Sequence, residues 1–300
     1  MSKRSQLHKG EGRVAALAIS PFYALFLTFG LFPIAYSIYI AFFNWDPLGE
    51  HTFNGLDNFR TLLADERFWL ALRNTLSIWF FSTAPQLLAA LGLASILNKN
   101  RLRLSGFWRA AVLVPNITST VAVAVVFSSI FGRDFGVINY LLSLIGVEKI
   151  DWASHTWSSH FEISAMVMWR WTGYNALIYL AAMQAVPKEL YEAADLDGAS
   201  AWEQFRYVTL PGIRNTVIFT VTVSTIAGLQ IFGEPLIVGG GNFNGGDSRQ
   251  FSTLTLFLFE QAFMEFKFGY AAAIGIMIFI VVVIFALINS WLTSKIAKDS

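Results

Sequence analysis

Cysteine is absent from this 300-residue sequence, and histidine occurs only four times. Without cysteine there is no disulfide framework and no thiolate metal ligand, and a few scattered histidines do not make a histidine-rich metal site. The sequence therefore predicts no metal site in this chain. It also gives no support for nucleic-acid binding.

Charge is scarce as well, at 14% of the residues against 55% hydrophobic, whereas soluble domains average about 25% charged. This composition predicts an all-α polytopic membrane protein. Because about 20 mostly apolar residues cross the hydrocarbon core as a helix, we predict six transmembrane helices from runs with at most one charged residue. These runs are Val14–Trp45, Asn74–Asn98, Ala110–Gly132, Ile163–Pro187, Asn215–Gly246 and Phe268–Ser294.

Lysine and arginine predict the orientation, because cytoplasmic loops carry an excess of them. With the N-terminus inside, 13 of the 21 such residues lie on the cytoplasmic side and six outside. Both termini are therefore predicted to be cytoplasmic. We divide the chain into a cytoplasmic N-terminal segment (residues 1–13), a six-helix transmembrane domain (residues 14–294) and a cytoplasmic tail (residues 295–300).

A long polar stretch, residues 187–211, separates the fourth and fifth runs on the cytoplasmic side. Pro187 suits a helix start, Gly198 suits the turn that ends a helix, and Ser200 with Glu203 matches a capping box. The pattern predicts two short helices joined at Gly198. The first half is acidic, and anionic lipid would repel it, so docking of a partner protein is favoured over contact with membrane lipid.

Within this stretch, Glu192-Ala-Ala-x-x-x-Gly198, followed after nine residues by Val208-x-Leu210-Pro211, resembles the EAA motif of the inner-membrane permease subunits of bacterial ABC importers. Isoleucine is commoner in the family at the Val208 place. Nearly the whole chain resembles the maltose-type permeases, carbohydrate uptake transporter family 1. The further matching motifs are Asn58-Phe-x-x-Leu-Leu-x-Asp65, Phe68-Trp-x-Ala-Leu-x-Asn-Thr75, Phe107-Trp-Arg-Ala110 with Pro115, and Gly136-x-Ile-Asn139.

The resemblance implies that residues 187–211 form coupling helices that dock on a cytoplasmic ATPase. The implied coupling residues are Glu192, Ala193, Ala194, Asp197, Gly198, Leu210 and Pro211. The implied partners are a second homologous permease subunit, two ABC ATPase subunits and an extracytoplasmic sugar-binding protein, assembled in the cytoplasmic (inner) membrane. The ATPase subunits would bind ATP and Mg²⁺, so this chain would have no catalytic residue and no cofactor. The implied substrate is a di- or oligosaccharide that the sequence does not name.

Two ionisable residues, Arg170 and Glu234, lie inside predicted spans, where such residues are functional candidates by default. A rise of about 1.5 Å per residue places them at similar heights on consecutive helices. Two arrangements stay open. They pair or share one polar cavity, or each side chain extends separately to the outer membrane surface.

A sugar-binding site needs aromatic rings for the C–H face of the sugar and neutral polar groups for its hydroxyls. The fourth and fifth spans supply both, and the resembled family builds its translocation site there. The candidates are Trp171, Tyr174, Asn175, Ser224, Gly228 and Phe232. An interfacial aromatic belt and helix packing through small residues are the competing explanations for these residues.

Two other classes of protein deserve comparison. An ion-coupled secondary carrier would show internal repeats and discontinuous helices, and the sequence has no convincing repeat. An integral membrane enzyme would need acid/base or metal-ligating residues clustered at one membrane level, and no such cluster is visible. We therefore favour the permease subunit of an ATP-driven importer that works by alternating access.

Overall fold

The computed structural model describes residues 14, 16–47, 49, 51–98 and 104–298, with side chains only to residue 291 at the C-terminal end. The predicted N-terminal segment, residues 1–13, and the last two residues of the predicted tail lie outside the described residues. The described elements are α1 (Ala16–Ile40), β1 (Phe43–Trp45), β2 (His51–Phe53), α2 (Asp57–Ala64), α3 (Glu66–Leu97), α4 (Ser105–Ala111), α5 (Val114–Ile117), α6 (Thr120–Ile130), α7 (Val137–Ser143), α8 (Thr156–Gln184), α9 (Lys188–Leu196), α10 (Ala201–Gln204), α11 (Leu210–Gly212), α12 (Arg214–Leu229), α13 (Gly233–Val238), α14 (Leu254–Phe263) and α15 (Phe268–Lys298).

Four helical stretches of the described chain are long and apolar enough to cross a membrane. They are α1, α3, the stretch Arg214–Val238 that contains α12 and α13, and the Phe268–Trp291 part of α15. The uncharged runs predicted all four. Helix α3 begins at Glu66 rather than at Asn74, because the Asp65 carboxylate accepts a hydrogen bond from the Arg67 backbone N–H and caps the helix there.

The third predicted span, Ala110–Gly132, is not one continuous helix in the structure. The stretch Ser105–Ile117 and helix α6 are bent by 91° relative to each other. Thr118 and Ser119 lie between them with non-helical backbone, at ψ angles of 140° and 132°. The bent pair would make a fifth span if it crosses the membrane as one broken helix.

The fourth predicted span corresponds to α8, which has 29 residues. It is not among the four apolar stretches of the described chain, since Arg170, Asn175 and several aromatic residues lower its mean hydropathy. The chain is therefore a mainly helical membrane protein, and the six-span topology stays a prediction.

The chain divides into two compact units, the first of which combines the described residues up to Ala64 with Gln261–Ile276. The sequence did not predict its hairpin, in which β1 and β2 pair antiparallel with Phe43 opposite Phe53. The Asn58 side chain donates hydrogen bonds to the carbonyls of Ala41 (2.8 Å) and Phe43 (2.9 Å). These bonds fix helix α2 against the hairpin.

The second unit combines Asp65–Glu260 with the described residues from Met277 onward. In it α3 packs along α8 through small and aromatic side chains that include Ala90, Ala94, Ala176 and Tyr179. Gly173 lets α8 approach the end of α4, because a Cβ there would overlap the Val112 carbonyl. Helices α3 and α8 therefore pack closely along each other, and the end of α4 packs against α8.

Residues of the resembled motifs anchor loops of this unit to its helices. Asn74 is fully buried in α3 and donates to the carbonyls of Arg249 (3.0 Å) and Ser252 (3.1 Å). Its neighbour Thr75 accepts a hydrogen bond from the Leu254 N–H at 2.9 Å. The start of α14 is therefore tied to α3 by side chains that satisfy its backbone groups.

Candidate functional site

A cavity of about 530 Å³, here called the α8/α12 cavity, lies within the second unit. Helices α3, α6, α8, α12 and α13 and the chain between α12 and α13 contribute to its walls. All six predicted sugar-pathway residues line it, and so do Arg170 and Glu234. The full lining is Thr83, Gln86, Thr120, Val167, Arg170, Trp171, Tyr174, Asn175, Val223, Ser224, Ala227, Gly228, Gln230, Ile231, Phe232, Gly233 and Glu234.

A break in the fifth predicted span forms one wall of the cavity. Helix α12 ends at Leu229, and the backbone leaves helical geometry before α13 begins at Gly233. Phe232 lies in this break, with φ −137° and ψ −53°, and its ring packs on Phe259 with 4.4 Å between ring centroids. The break thus places an aromatic ring and the Glu234 carboxylate beside α8.

Arg170 and Glu234 form an ion pair across the cavity wall. Their side chains are 12% and 9% exposed, so both charges are largely withdrawn from solvent. Of the two arrangements that the sequence left open, the structure has the one in which the residues pair and share a cavity. Buried charges are expensive unless they are paired, and this pair neutralises both.

Polar side chains join α8 to α12 on the C-terminal side of Arg170 along α8. Asn175 Nδ2 donates to Ser224 Oγ at 3.5 Å, and the hydroxyls of Tyr179 and Thr220 are hydrogen-bonded at 2.7 Å. Two predicted sugar-pathway residues therefore contact each other directly. Because the Asn175–Ser224 distance is long for a hydrogen bond, both groups keep capacity for a ligand.

Aromatic and small residues complete the predicted set. The rings of Trp171 and Tyr174 meet edge to face, with 5.8 Å between centroids. A Cβ at Gly228 would lie 2.6 Å from Trp79 Cδ1 and 3.1 Å from Thr83 Oγ1. Gly228 therefore lines the cavity and also permits close packing of α12 on α3. The two positions that the sequence offered as alternatives, one in a cavity and one in a helix contact, occur together at this residue.

The sequence did not predict the contribution of α3 to the cavity. Gln86 is only 2% exposed, and its Nε2 atom is buried with no hydrogen-bond partner among the described residues. Thr83 lies one turn earlier and also lines the cavity. The available signal was a glutamine inside a mostly apolar run, where an amide is costly to bury without a partner.

The cavity combines aromatic rings, neutral hydrogen-bonding groups and one internal ion pair, which suits noncovalent binding of a polar ligand. Across the described ranges, no group of three or more histidine, aspartate or glutamate residues is placed to hold a metal ion. The cavity is therefore a candidate binding site.

The polar stretch forms the two predicted helices, α9 and α10, joined at Gly198, which has a φ of +76°. The Ser200 and Glu203 backbone N–H groups are capped reciprocally by the Glu203 and Ser200 side chains, at 2.7 and 3.4 Å. Two hydrogen bonds lower the pKa of the Glu203 carboxyl: the one from the Ser200 hydroxyl has the larger effect and the one from the Ser200 N–H the smaller. Gln204 donates to the Asp195 carboxylate. The hairpin is therefore braced by its own side chains.

This helical hairpin also has an exposed face. Glu192 and Ala193 are exposed in α9, and in the described chain Glu192 has no ion-pair partner. Leu196 is 90% exposed and Trp202 is 67% exposed, in α9 and α10 respectively. Leu210 and Pro211 are exposed at the far end of the stretch. Exposed apolar groups around an unpaired carboxylate are typical of a surface that binds another protein.

A polytopic helical fold with a polar cavity and a braced surface hairpin defines the class of protein as a membrane transport subunit. The protein-family model described as the binding-protein-dependent transport system inner membrane component matches residues 86–298. The match covers more than half of the chain, including the hairpin and every cavity-lining residue except Thr83. The chain therefore belongs to this family of ABC-importer permease subunits.

Individual relatives agree with this assignment. The chain is 35% identical to an arabinooligosaccharides transport system permease protein of Bacillus subtilis over 274 residues, covering 91% of this chain and 86% of the relative. It is 34% identical to a lactose transport system permease protein of Rhizobium radiobacter over 291 residues, covering 96% of each. These relatives are permease proteins and not ATP-hydrolysing subunits.

The fold has a counterpart among solved structures. A chain of a bacterial alginate ABC transporter, in complex with an alginate pentasaccharide-bound periplasmic protein, superimposes with a TM-score of 0.81. The two chains are 22% identical, and the match covers 99% of each. The described chain therefore has the fold of an ABC-importer permease over its full length.

Proposed function

We propose that this chain is the permease subunit of an ATP-driven importer that moves a di- or oligosaccharide across the cytoplasmic membrane by alternating access. The observation that carries the proposal is the α8/α12 cavity, whose walls hold all six candidate residues for sugar binding. The relatives named for arabinooligosaccharides and for lactose support a saccharide as the substrate.

The cavity chemistry fits such a ligand. Asn175 and Ser224 offer hydrogen bonds to sugar hydroxyls, while Trp171, Tyr174 and Phe232 offer ring faces for the C–H surfaces of the sugar. The site belongs to one chain only. The second permease subunit supplies the other half of the pathway, and an external binding protein delivers the sugar, as the solved complex with a periplasmic protein supports for this fold.

The helical hairpin of α9 and α10 transmits the work of the ATPase subunits. Glu192 and the exposed apolar groups around it contact one ATPase subunit, which binds ATP and Mg²⁺. Closure of the ATPase pair moves the hairpin, and α8 and α12 move with it because they join the hairpin at each end. This role requires both termini and residues 187–211 to be cytoplasmic, with α8 and the bent pair crossing the membrane to complete six spans.

Reconstitution tests the proposal. The complete transporter, with both permeases, the ATPase subunits and the binding protein, is placed in proteoliposomes with a panel of labelled saccharides. We expect uptake of at least one saccharide that requires both ATP and the binding protein. Saccharide uptake that persists without ATPase subunits and depends on an ion gradient would instead support a secondary carrier.

A further inference from the structure

The charges of the α8/α12 cavity restrict the kind of saccharide that it binds. Two charged side chains, Arg170 and Glu234, are in the described lining, and they are paired with each other. Every other lining residue of the described chain is neutral. The part of the binding site that this chain contributes therefore has no net charge and presents no unpaired cation to a ligand.

An acidic saccharide has no favourable place for its carboxylate here. The cationic group in the lining is Arg170, whose Nη1 atom donates to the Glu234 carboxylate and whose Nε atom is buried without a hydrogen-bond partner in the described chain. A ligand carboxylate that reached this guanidinium would either displace Glu234 or share the arginine with it, and both arrangements leave two negative charges beside one positive charge in a largely buried wall. Such a juxtaposition of like charges is strongly unfavourable.

A neutral saccharide meets the opposite situation. The buried Nε2 of Gln86 lacks an acceptor in the described chain, and the Asn175–Ser224 contact is long at 3.5 Å. Hydroxyl oxygens accept and donate hydrogen bonds without adding charge. Uncharged hydroxyl groups therefore satisfy the polar groups of the wall and leave the ion pair intact.

We propose that the importer takes an uncharged saccharide and rejects one that carries a carboxylate, an inference that rests on the proposed function. The ion pair disfavours anions because the Glu234 carboxylate neutralises the Arg170 charge that would otherwise attract them. Similar proteins do not decide this property, since one is a lactose transport system permease protein and another belongs to a solved transporter for the acidic polysaccharide alginate.

The test uses the reconstituted transporter and matched pairs of sugars that differ by oxidation of one primary alcohol to a carboxylate. The matched sugars are added on the side of the ATPase subunits, where the selectivity of the binding protein plays no part. Their inhibition of the uptake of a labelled saccharide is then measured. We expect the neutral sugar to inhibit and its carboxylate counterpart to need at least about tenfold higher concentration. Equal or stronger inhibition by the carboxylate sugar would overturn the inference.

Variants identify the group responsible. Glu234→Gln leaves Arg170 with an unpaired positive charge. In this variant we expect the carboxylate sugar to inhibit uptake more strongly, relative to its neutral partner, than it does in the wild type. Glu260→Gln is the matched control, because it removes a carboxylate from the Arg249–Glu260 pair, which lies outside the cavity lining; there we expect unchanged selectivity. The wild-type comparison decides the inference even if Glu234→Gln folds poorly. Absence of uptake for any saccharide would instead contradict the proposed function.

Discussion

The amide of Gln86 is the clearest case in which one side chain has more hydrogen-bonding capacity than the described chain uses. A buried donor without an acceptor costs about 1–3 kcal/mol, so removing it does not weaken the free protein. We expect Gln86→Leu to raise the sugar concentration for half-maximal uptake several-fold, with thermal stability unchanged or higher. Uptake kinetics and melting of the purified protein measure the two effects.

Ser95→Ala provides the control for Gln86→Leu. Ser95 is on the same helix, and its hydroxyl donates to its own helix at the Leu91 carbonyl (2.9 Å), away from the cavity lining. Its replacement should leave the sugar dependence unchanged. A loss of stability in Gln86→Leu with unaltered sugar dependence would mean that the amide has only a structural role.

The ion pair of Arg170 and Glu234 makes the second prediction at this scale. Removing one partner leaves a buried charge unpaired, which costs about 3–5 kcal/mol. We expect Arg170→Gln and Glu234→Gln each to lower the melting temperature strongly. The double variant should be less destabilised than the sum, by a coupling of about 0.5–3 kcal/mol. Additive losses in a double-mutant cycle would show that the pair contributes nothing beyond its separate residues.

At the scale of elements, the helical hairpin depends on the left-handed backbone of Gly198, at φ +76°. A Cβ there would meet no atom within 4 Å, so a substitution acts through backbone strain alone. We expect Gly198→Ala to destabilise the turn by about 1–2 kcal/mol. Hydrogen exchange should then quicken at the Ala199 N–H, which donates to the Ala194 carbonyl at 2.9 Å.

Gly198→Asn separates strain from other causes, because asparagine adopts the left-handed conformation far more readily than alanine. Exchange at Ala199 in this variant should lie between those of the wild type and Gly198→Ala. If alanine and asparagine had the same effect, the turn would not depend on left-handed backbone geometry.

Local chemistry explains which elements could be predicted from the sequence. The break at Gly198 and the capping box of Ser200 follow from a few adjacent residues, and the structure has both. The bend between α5 and α6 could not be predicted, because hydropathy responds to composition and Thr118 and Ser119 are ordinary residues of an apolar run. The hairpin of β1 and β2 depends on tertiary contacts of Asn58, which no local pattern shows.

The same distinction applies to the site within the whole molecule. Residues of the fourth and fifth predicted spans could be chosen because aromatic and polar groups interrupt these apolar runs and because the resembled family builds its translocation site there. For Gln86 the sequence offered only an amide in an apolar run. The place of Gln86 and Thr83 in the cavity depends on how α3 packs against Gly228, and that approach exists only in the folded chain. The sequence thus predicted the residues that α8 and α12 contribute to the cavity but not those that α3 contributes.

Assembly with the ATPase subunits gives the prediction at the scale of the whole molecule. Glu192 is exposed and lacks an ion-pair partner in the described chain, so its reversal should not disturb the fold. We expect Glu192→Lys to abolish co-purification of the ATPase subunits and ATP-driven uptake while leaving the melting temperature of the permease unchanged. Glu148→Lys, an exposed charge reversal in the predicted outer loop, should retain both co-purification of the ATPase subunits and ATP-driven uptake. If Glu192→Lys assembled and transported like the wild type, the coupling surface would have to lie elsewhere on the chain.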